Sequence, residues 1–375
     1  MSTPALAAIL HEPHGDFTLE RVMLGELRPD EVLVRIEAAG MCHTDLMARA
    51  MLKPPMVLGH EGAGTIVEVG ADVRSLRAGD AVTLSYPSCG SCSGCRRRQP
   101  HLCAAHMELA FGAQRLDGTQ TIELGGRTIS SAFFQQSSFA THAIAPASSV
   151  VRDEVGVPAP LRAALSCGVQ TGAGAVIETF GLRPGESLAV FGAGTVGLSA
   201  VMAARLCGAD CIVAVDVEPA RLEMARQLGA SEALDARRTD LVDAIRSLTN
   251  GGIDYALETS AQADALDAAI AVLSNGGTCG MVTAPHFGQK YPFSPTEIFK
   301  RATTLCGVIQ GSAVPQSFIP KLMQWWRAGR FPYDQIVTTY PFERINAAVR
   351  DVEHGRAIKA VLAMDADAQG QSHVR

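Results

Sequence analysis

Leu188-Ala-Val-Phe-Gly-Ala-Gly-Thr-Val-Gly197 decides the fold of this chain. A short apolar run reads as a buried strand, and the residues after it, 195–207, read as a helix. Between them stands Gly192-x-Gly194-x-x-Gly197. In that context the first glycine permits the tight turn and the second lets backbone approach a pyrophosphate. The third, Gly197, lets helix and strand pack closely. The phosphates then meet the positive end of the helix. A glycine triplet alone is weak, since glycine-rich turns are common. Here a second strand, 211–216, ends on Asp216. An acid at that distance binds ribose hydroxyls and repels a 2′-phosphate, which selects NAD over NADP. The bland alternative for Asp216 is a strand-end residue or a helix cap.

Outward from this stretch the rhythm continues. An amphipathic helix over 218–228 is stopped by Gly229, and strands follow at 231–235, 253–259 and 277–282. Helices are expected at 241–248 and 263–273 between them. Strand–helix alternation implies a parallel sheet covered on both faces. The half before Ser166 differs. Glu31-Val-Leu-Val-Arg-Ile-Glu37 and Gly64-Thr-Ile-Val-Glu-Val-Gly70 alternate polar and apolar side chains, as half-buried strands do. Beyond Gly311, helices are expected at 318–327 and 342–352, and a last strand at 358–364. The final ten residues read as a frayed end. The nucleotide unit thus sits inside the chain, with the C-terminal segment packing back on the first half.

Cys89, Cys92, Cys95 and Cys103 follow the pattern C-x2-C-x2-C-x7-C. Zinc takes four thiolates in closed structural sites, and an iron–sulfur cluster is the metal alternative. The two-residue gaps disfavour disulfides. A closed site performs no chemistry, so the activity lies elsewhere. Arg96-Arg97-Arg98, inside this lobe, reads as a solvated loop face. Other metal-competent residues are scattered. Cys42-His-Thr-Asp45 follows one strand, Gly59-His60-Glu61 precedes another, and Cys167 lies at the junction into the nucleotide unit. Singly, each is more often a buried small hydrophobe or a satisfied polar group.

Composition bounds the rest. The chain has 375 residues, 47% hydrophobic and 19% charged, with a net charge of −6, which suits a globular protein of two domains and disfavours a nucleic-acid surface. The uncharged stretch 188–204 is broken by three glycines and reads as strand–turn–helix, not a membrane span. The N-terminus lacks the layout of an export signal, so a cytoplasmic location with reduced thiols is expected.

Taken together, these motifs resemble the zinc-dependent alcohol dehydrogenases of the medium-chain dehydrogenase/reductase superfamily. The resemblance rests on Cys42-His-Thr-Asp45, Gly59-His-Glu-Gly62, the cysteine quartet, Gly168-Val-Gln-Thr-Gly172, the glycine fingerprint and Asp216. Within the family the chain is most similar to bacterial aryl- and allylic-alcohol dehydrogenases, such as benzyl alcohol and geraniol dehydrogenases. The implied fold is α/β. A GroES-like, mostly-β catalytic domain would span 1–168 and 312–375, with a structural-zinc lobe at about 86–106. A doubly wound, parallel-sheet Rossmann domain would span 169–311.

The resemblance further implies two zinc ions per chain. Cys42, His60 and Cys167 would hold the catalytic one, and the quartet the structural one. Asp45 would orient His60, and Glu61 would lie behind the metal, with a role as an ordinary buried salt-bridge partner as the alternative for either acid. An alcohol bound there becomes an alkoxide and passes hydride to NAD, while Thr44 relays the proton. Met47 stands where a terminal histidine base is common, so water or another base ends the relay. His43 and Lys359 would contact the pyrophosphate, Thr171, Val196 and Val282 the nicotinamide side, and Arg221 the adenosine ribose. For Arg221 and Lys359 a plain surface role is the alternative. Thr283 replaces a common glycine in Met281-Val-Thr-Ala-Pro285. Tyr86, Phe111, Phe139, Val282 and Ile309 are candidates for an apolar substrate pocket, each with a core role as its alternative. The long segment between Cys103 and Cys167 favours a homodimer, with 305–309 as a candidate edge. The implied partner is a small alcohol or aldehyde, with no nucleic acid and no membrane. Two other readings stand beside this one: an S-(hydroxymethyl)glutathione or polyol dehydrogenase of the same superfamily, and a non-catalytic sensor of NADH and zinc.

Overall fold

The computed structural model describes residues 3–249, 251–283 and 290–364. The expectations for Ala284, Pro285 and residues 366–375 fall outside them. Two compact units emerge. One comprises Met1–Cys167, Val314–Arg327 and Asp334–Arg375, the other Gly168–Ala313 and Ala328–Tyr333.

The second unit follows from its strands. Ser187–Phe191 is buried at every position, as a central parallel strand covered on both faces must be. The six-stranded sheet runs Glu232–Asp235, Cys211–Asp216, Ser187–Phe191, Ile253–Glu258, Leu273–Met281, Thr304–Gly307. All pairings are parallel. Numbered within the unit, this order is 3-2-1-4-5-6, the doubly wound dinucleotide arrangement. The chain reverses direction across the sheet between Ser187–Phe191 and Ile253–Glu258, and the glycine fingerprint follows the first of these strands. Helix Thr195–Cys207 keeps the expected bounds. The strand expected at 277–282 starts earlier, at Leu273, because a register shift opposite Ile253 and Tyr255 breaks its alternation.

The first unit is mostly β. One sheet runs Met56–Val57, Thr3–Leu10, Phe17–Leu24, Ile122–Leu124, Arg127–Thr128. A second runs Val150–Arg152, Ala81–Leu84, Gly62–Val69, Glu31–Gly40, Lys359–Ala363, Val337–Pro341, with His142–Pro146 also paired to Glu31–Gly40. Ile9, Val34, Ile36, Val82, Leu84, Phe139 and Leu362 lie in their shared core. The C-terminal strand therefore does return to the first half, pairing Val361 with Gly40. Among the described residues no helix is long and apolar enough to cross a membrane.

A buried ion pair supports this unit. Arg115 Nε and Nη2 each donate to Glu31 at 2.7 Å, and Nη2 also donates to the Glu26 carbonyl at 3.1 Å. Both side chains are under 9% exposed. Removing one partner strands the other charge in a low-dielectric site. Arg115→Met is therefore expected to destabilise the protein by about 3–5 kcal/mol, read as a lowered midpoint in urea unfolding of the purified chain.

Candidate active site

The metal-competent residues are assembled by local backbone rules in the first unit. Strand Glu31–Gly40 ends, and Cys42 stands extended (φ −131°, ψ 159°) as the N-cap of helix His43–Met51. That helix was not foreseen, because Thr44 and Asp45 favour turns. Asp45 closes the cap. Its Oδ2 accepts the Cys42 N–H at 3.0 Å. Its Oδ1 accepts the Gly59 N–H at 3.2 Å and sits 2.9 Å from His60 Nδ1. Gly59 holds φ +93°, and a Cβ there would lie 2.4 Å from the Phe139 nitrogen, so no other residue fits.

With Nδ1 committed to Asp45, His60 presents Nε2. That atom is buried and has no hydrogen-bond partner. Ligand atoms of Cys42, His60, Glu61 and Cys167 all lie within 4.8 Å of one another. Cys167 comes to the group on a π-helical turn, Leu165–Val169. The neighbouring Cys167 thiol holds the Cys42 thiol well below its ordinary value, against burial. Cys167 in turn is pushed well up by Cys42 and by burial. Burial pulls His60 down, but Asp45 outweighs it and lifts the ring well above its usual value. A metal needs thiolates and a neutral imidazole, so its binding would expel these protons. The donor set and the orphaned Nε2 fit zinc with three protein ligands and an open position.

Glu61 lies directly behind. It is fully buried; Oε1 has no partner and is 4.0 Å from His60 Nε2. Oε2 pairs with Lys359 Nζ, which also donates to the Met41 carbonyl at 3.3 Å. Burial drives Glu61 up to about 7, against the pull of Lys359. A Cβ on residue 40 would overlap Glu61 Oε2, so Gly40 makes the room. Lys359 is 1% exposed, which removes the surface role held as its alternative. Its charge is engaged by Glu61, a partner that nothing in the sequence linked to it.

Thr44 is partly buried, with Oγ1 3.7 Å from the Cys42 sulfur, while His43 and Met47 are exposed. Of the expected pocket residues, Phe139 is corrected: fully buried, it packs edge-on against Phe17 at 6.0 Å in the core. Tyr86 is buried against His106. Phe111 does approach the site, meeting Phe133 at 5.9 Å and Phe134 at 5.4 Å. Phe133 and Phe134, which contact His60, were missed. They lie in the polar run Ser130-Ser-Ala-Phe-Phe-Gln-Gln-Ser-Ser138, which has neither helix nor strand period.

Cys89, Cys92, Cys95 and Cys103 likewise converge within 4.8 Å. Cys92 and Cys95 sulfurs are 3.5 Å apart, far beyond a disulfide bond, and no cysteine is bridged among the described residues. Backbone N–H groups of Cys89, Cys92 and Ala104 point at the sulfurs of Cys103, Cys89 and Cys92. Those of Ser91 and Cys92 draw Cys89 down to about 6, whereas burial pushes Cys103 up to about 12. A closed four-thiolate metal fits this loop. Arg96, Arg97 and Arg98 are exposed, as a solvated face should be.

In the second unit, Gly192 holds φ +99°, and a Cβ on Gly197 would overlap the Gly192 carbonyl. A Cβ on Gly194 would meet no protein atom within 4 Å. This is the open space a pyrophosphate requires. Asp216 is 6% exposed; it accepts the Ala193 N–H at 2.6 Å and the Glu218 N–H at 2.9 Å. Each oxygen keeps a lone pair for a ribose hydroxyl. Arg221 Nη1 is 3.9 Å from Asp216 and its Nε is unpartnered. Thr171 is buried, Val196 and Val282 half-buried, and Ile309 exposed.

Residues 28–155 match the alcohol dehydrogenase GroES-like domain, and residues 195–327 the zinc-binding dehydrogenase domain. Over 362 residues the chain is 44% identical to the geraniol dehydrogenase of Castellaniella defragrans, spanning 96% of this chain and 97% of that one. The chain belongs to the zinc-dependent alcohol dehydrogenases. The crystal structure of benzyl alcohol dehydrogenase from Acinetobacter calcoaceticus superposes with a TM-score of 0.93 at 38% identity, covering 97% of this chain and all 100% of that one. An alcohol dehydrogenase zinc-binding domain protein from Burkholderia ambifaria gives 0.95 at 42%, with 97% and 100% covered. This alcohol dehydrogenase is therefore an oxidoreductase of the medium-chain type that uses zinc and a nicotinamide cofactor on small alcohols.

For this alcohol dehydrogenase, Gly194→Ala separates folding from nucleotide binding. The added methyl meets no protein atom, so thermal unfolding should stay at the wild-type temperature. Affinity for the reduced nicotinamide cofactor, followed by its fluorescence, should fall, because the methyl takes the space the pyrophosphate approaches.

Proposed function

We propose that this chain oxidises a primary aryl or allylic alcohol to its aldehyde, reversibly, with NAD as hydride acceptor. The observation that carries the chemistry is the three-donor set of Cys42, His60 and Cys167 around the partnerless Nε2 of His60. The substrate class rests on the likeness to a geraniol dehydrogenase and a benzyl alcohol dehydrogenase. The preference for NAD rests on Asp216, whose carboxylate would repel a 2′-phosphate.

In this reading Cys42, His60 and Cys167 hold one zinc, and the quartet Cys89, Cys92, Cys95 and Cys103 a second. When bound, zinc acts as a Lewis acid that lowers the pKa of a hydroxyl beside it. The nicotinamide, when bound, accepts hydride. Asp45 fixes the tautomer of His60 through Nδ1. Thr44 Oγ1 takes the alcohol proton and hands it on, and water or another base ends the relay in place of a histidine at Met47. Arg221 and Asp216 hold the adenosine ribose, and the open ground above Gly194 the pyrophosphate. Thr171, Val196 and Val282 flank the nicotinamide, with His43 toward the phosphates; Lys359, buried and paired with Glu61, is not among the phosphate contacts. Two chains pair through the edge strand Thr304–Gly307, which ends the six-stranded sheet among the described residues. The enzyme works in the cytoplasm.

The test is a zinc assay with NADH formation across benzyl alcohol, geraniol, ethanol, a polyol and S-(hydroxymethyl)glutathione, each with NAD and NADP. Two zincs per chain and NAD-dependent turnover of the first two support the proposal. Preference for the glutathione adduct or the polyol moves the substrate class, and one zinc without turnover supports the sensor. For the relay, Thr44→Val is expected to lower kcat by about a hundredfold or more. The KM for NAD should be nearly unchanged and Met47→His tolerated. Full activity in Thr44→Val would refute the relay.

A further inference from the structure

Residues 132–138 form a loop with an unusual backbone. Ala132 (φ 59°), Phe134 (φ 49°), Gln135 (φ 57°) and Ser137 (φ 49°) all lie in the left-handed region, and none is glycine. Such residues persist only where their surroundings over-determine them, and they collect at functional sites. The surroundings here are explicit. Gln135 Nε2 donates to the carbonyls of Gln114 at 2.8 Å and Leu109 at 3.2 Å. Ser137 Oγ donates to the Val57 carbonyl at 2.7 Å, and the Ser138 N–H to the Gly59 carbonyl at 2.9 Å.

What this strained loop delivers is a double hold on His60. Gln136 Nε2 donates to the His60 carbonyl at 2.9 Å, while its Oε1 accepts the Gly62 N–H at 3.0 Å. The Phe134 ring lies over the imidazole, centroids 4.6 Å apart and planes tilted by 31°. Phe133 meets the same imidazole edge-on at 5.7 Å. Phe133 and Phe134 are 0% and 3% exposed. Both rings pack on the histidine and on each other.

We propose that the 132–138 loop is a clamp on His60, and that Phe134 is a positioning residue which fixes the imidazole plane and so retains the metal. Asp45 pins one edge of the ring at Nδ1. A single contact at one nitrogen still leaves rotation about that axis, and the Phe134 face removes it. This rests on the reading of His60 as a zinc ligand.

The experiment uses the zinc-loaded full chain challenged with a chelator, following zinc release and loss of alcohol oxidation together. The release phase that tracks activity reports the His60 site; the other reports the quartet. Phe134→Leu is expected to speed the first phase about tenfold, the usual scale for a residue that orients a ligand. It should leave the second phase and thermal unfolding unchanged, and shift the visible bands of the cobalt-substituted site. Wild-type release with unchanged cobalt bands in a folded Phe134→Leu protein overturns the clamp. Phe134→Met, closer to Phe in volume, carries the same test if the leucine variant does not fold. Wild-type protein holding a single zinc that Cys42→Ser leaves in place overturns the ligand reading itself, so the two failures are distinct.

Discussion

The buried carboxylate of Asp45 is the constraint on which the site depends. Its two oxygens take the Cys42 N–H, the Gly59 N–H and the edge of the His60 ring. Two metal-competent residues from separate strand ends are thereby tied through one 1%-exposed side chain. Hydrogen bonds to an ionised group are among the stronger ones, and more so in a low-dielectric interior. Each bond also fixes a choice that zinc chemistry requires: the cap that starts the Cys42 helix, the left-handed Gly59, and the imidazole tautomer. Without it, Cys42 and His60 have no shared reference.

Around that carboxylate the first unit places layers with separate tasks. The sulfurs of Cys42 and Cys167 and the His60 imidazole converge. Glu61 stands behind them, held by Lys359 in the space that Gly40 leaves. The strained 132–138 loop closes over the imidazole face. The second unit does comparable work with backbone alone. Gly192 and Gly197 bring strand and helix together, Gly194 leaves ground open, and Asp216 waits beside it. On the proposed reading the chemistry is divided accordingly: one unit would hold the zinc and the alcohol, and the other the nicotinamide cofactor.

Much of this was legible in the sequence, for physical reasons. Parallel strands buried on both faces read as continuous apolar runs, so Leu188–Phe191 and Cys211–Val215 announced themselves. The quartet is local, with ligand spacing set by one loop. Cys42, His60 and Cys167 are far apart in the chain, and only the joint family pattern connected them. The residues that escaped owe their roles to tertiary packing. Phe133 and Phe134 sit in a run with no period. Phe139, with the same chemistry, fell into the core because Gly59 lets backbone approach it. Lys359 looked like any late cation until the last strand laid it against Glu61. Helix His43–Met51 was hidden because its first turn is built from residues that prefer caps and turns.

That last strand has a temporal consequence. Lys359 opens Lys359–Ala363, which inserts between Glu31–Gly40 and Val337–Pro341. During synthesis the metal-competent Cys42, His60 and Cys167 all emerge long before it. Until it docks, Glu61 has no cation, and a buried unpaired carboxylate costs several kcal/mol. The nascent chain therefore holds these three donors while the interior around Glu61 is unfavourable to form. Closure of the first unit around Glu61 waits on strand Lys359–Ala363, and a chain cut before residue 359 would leave that carboxylate without its cation.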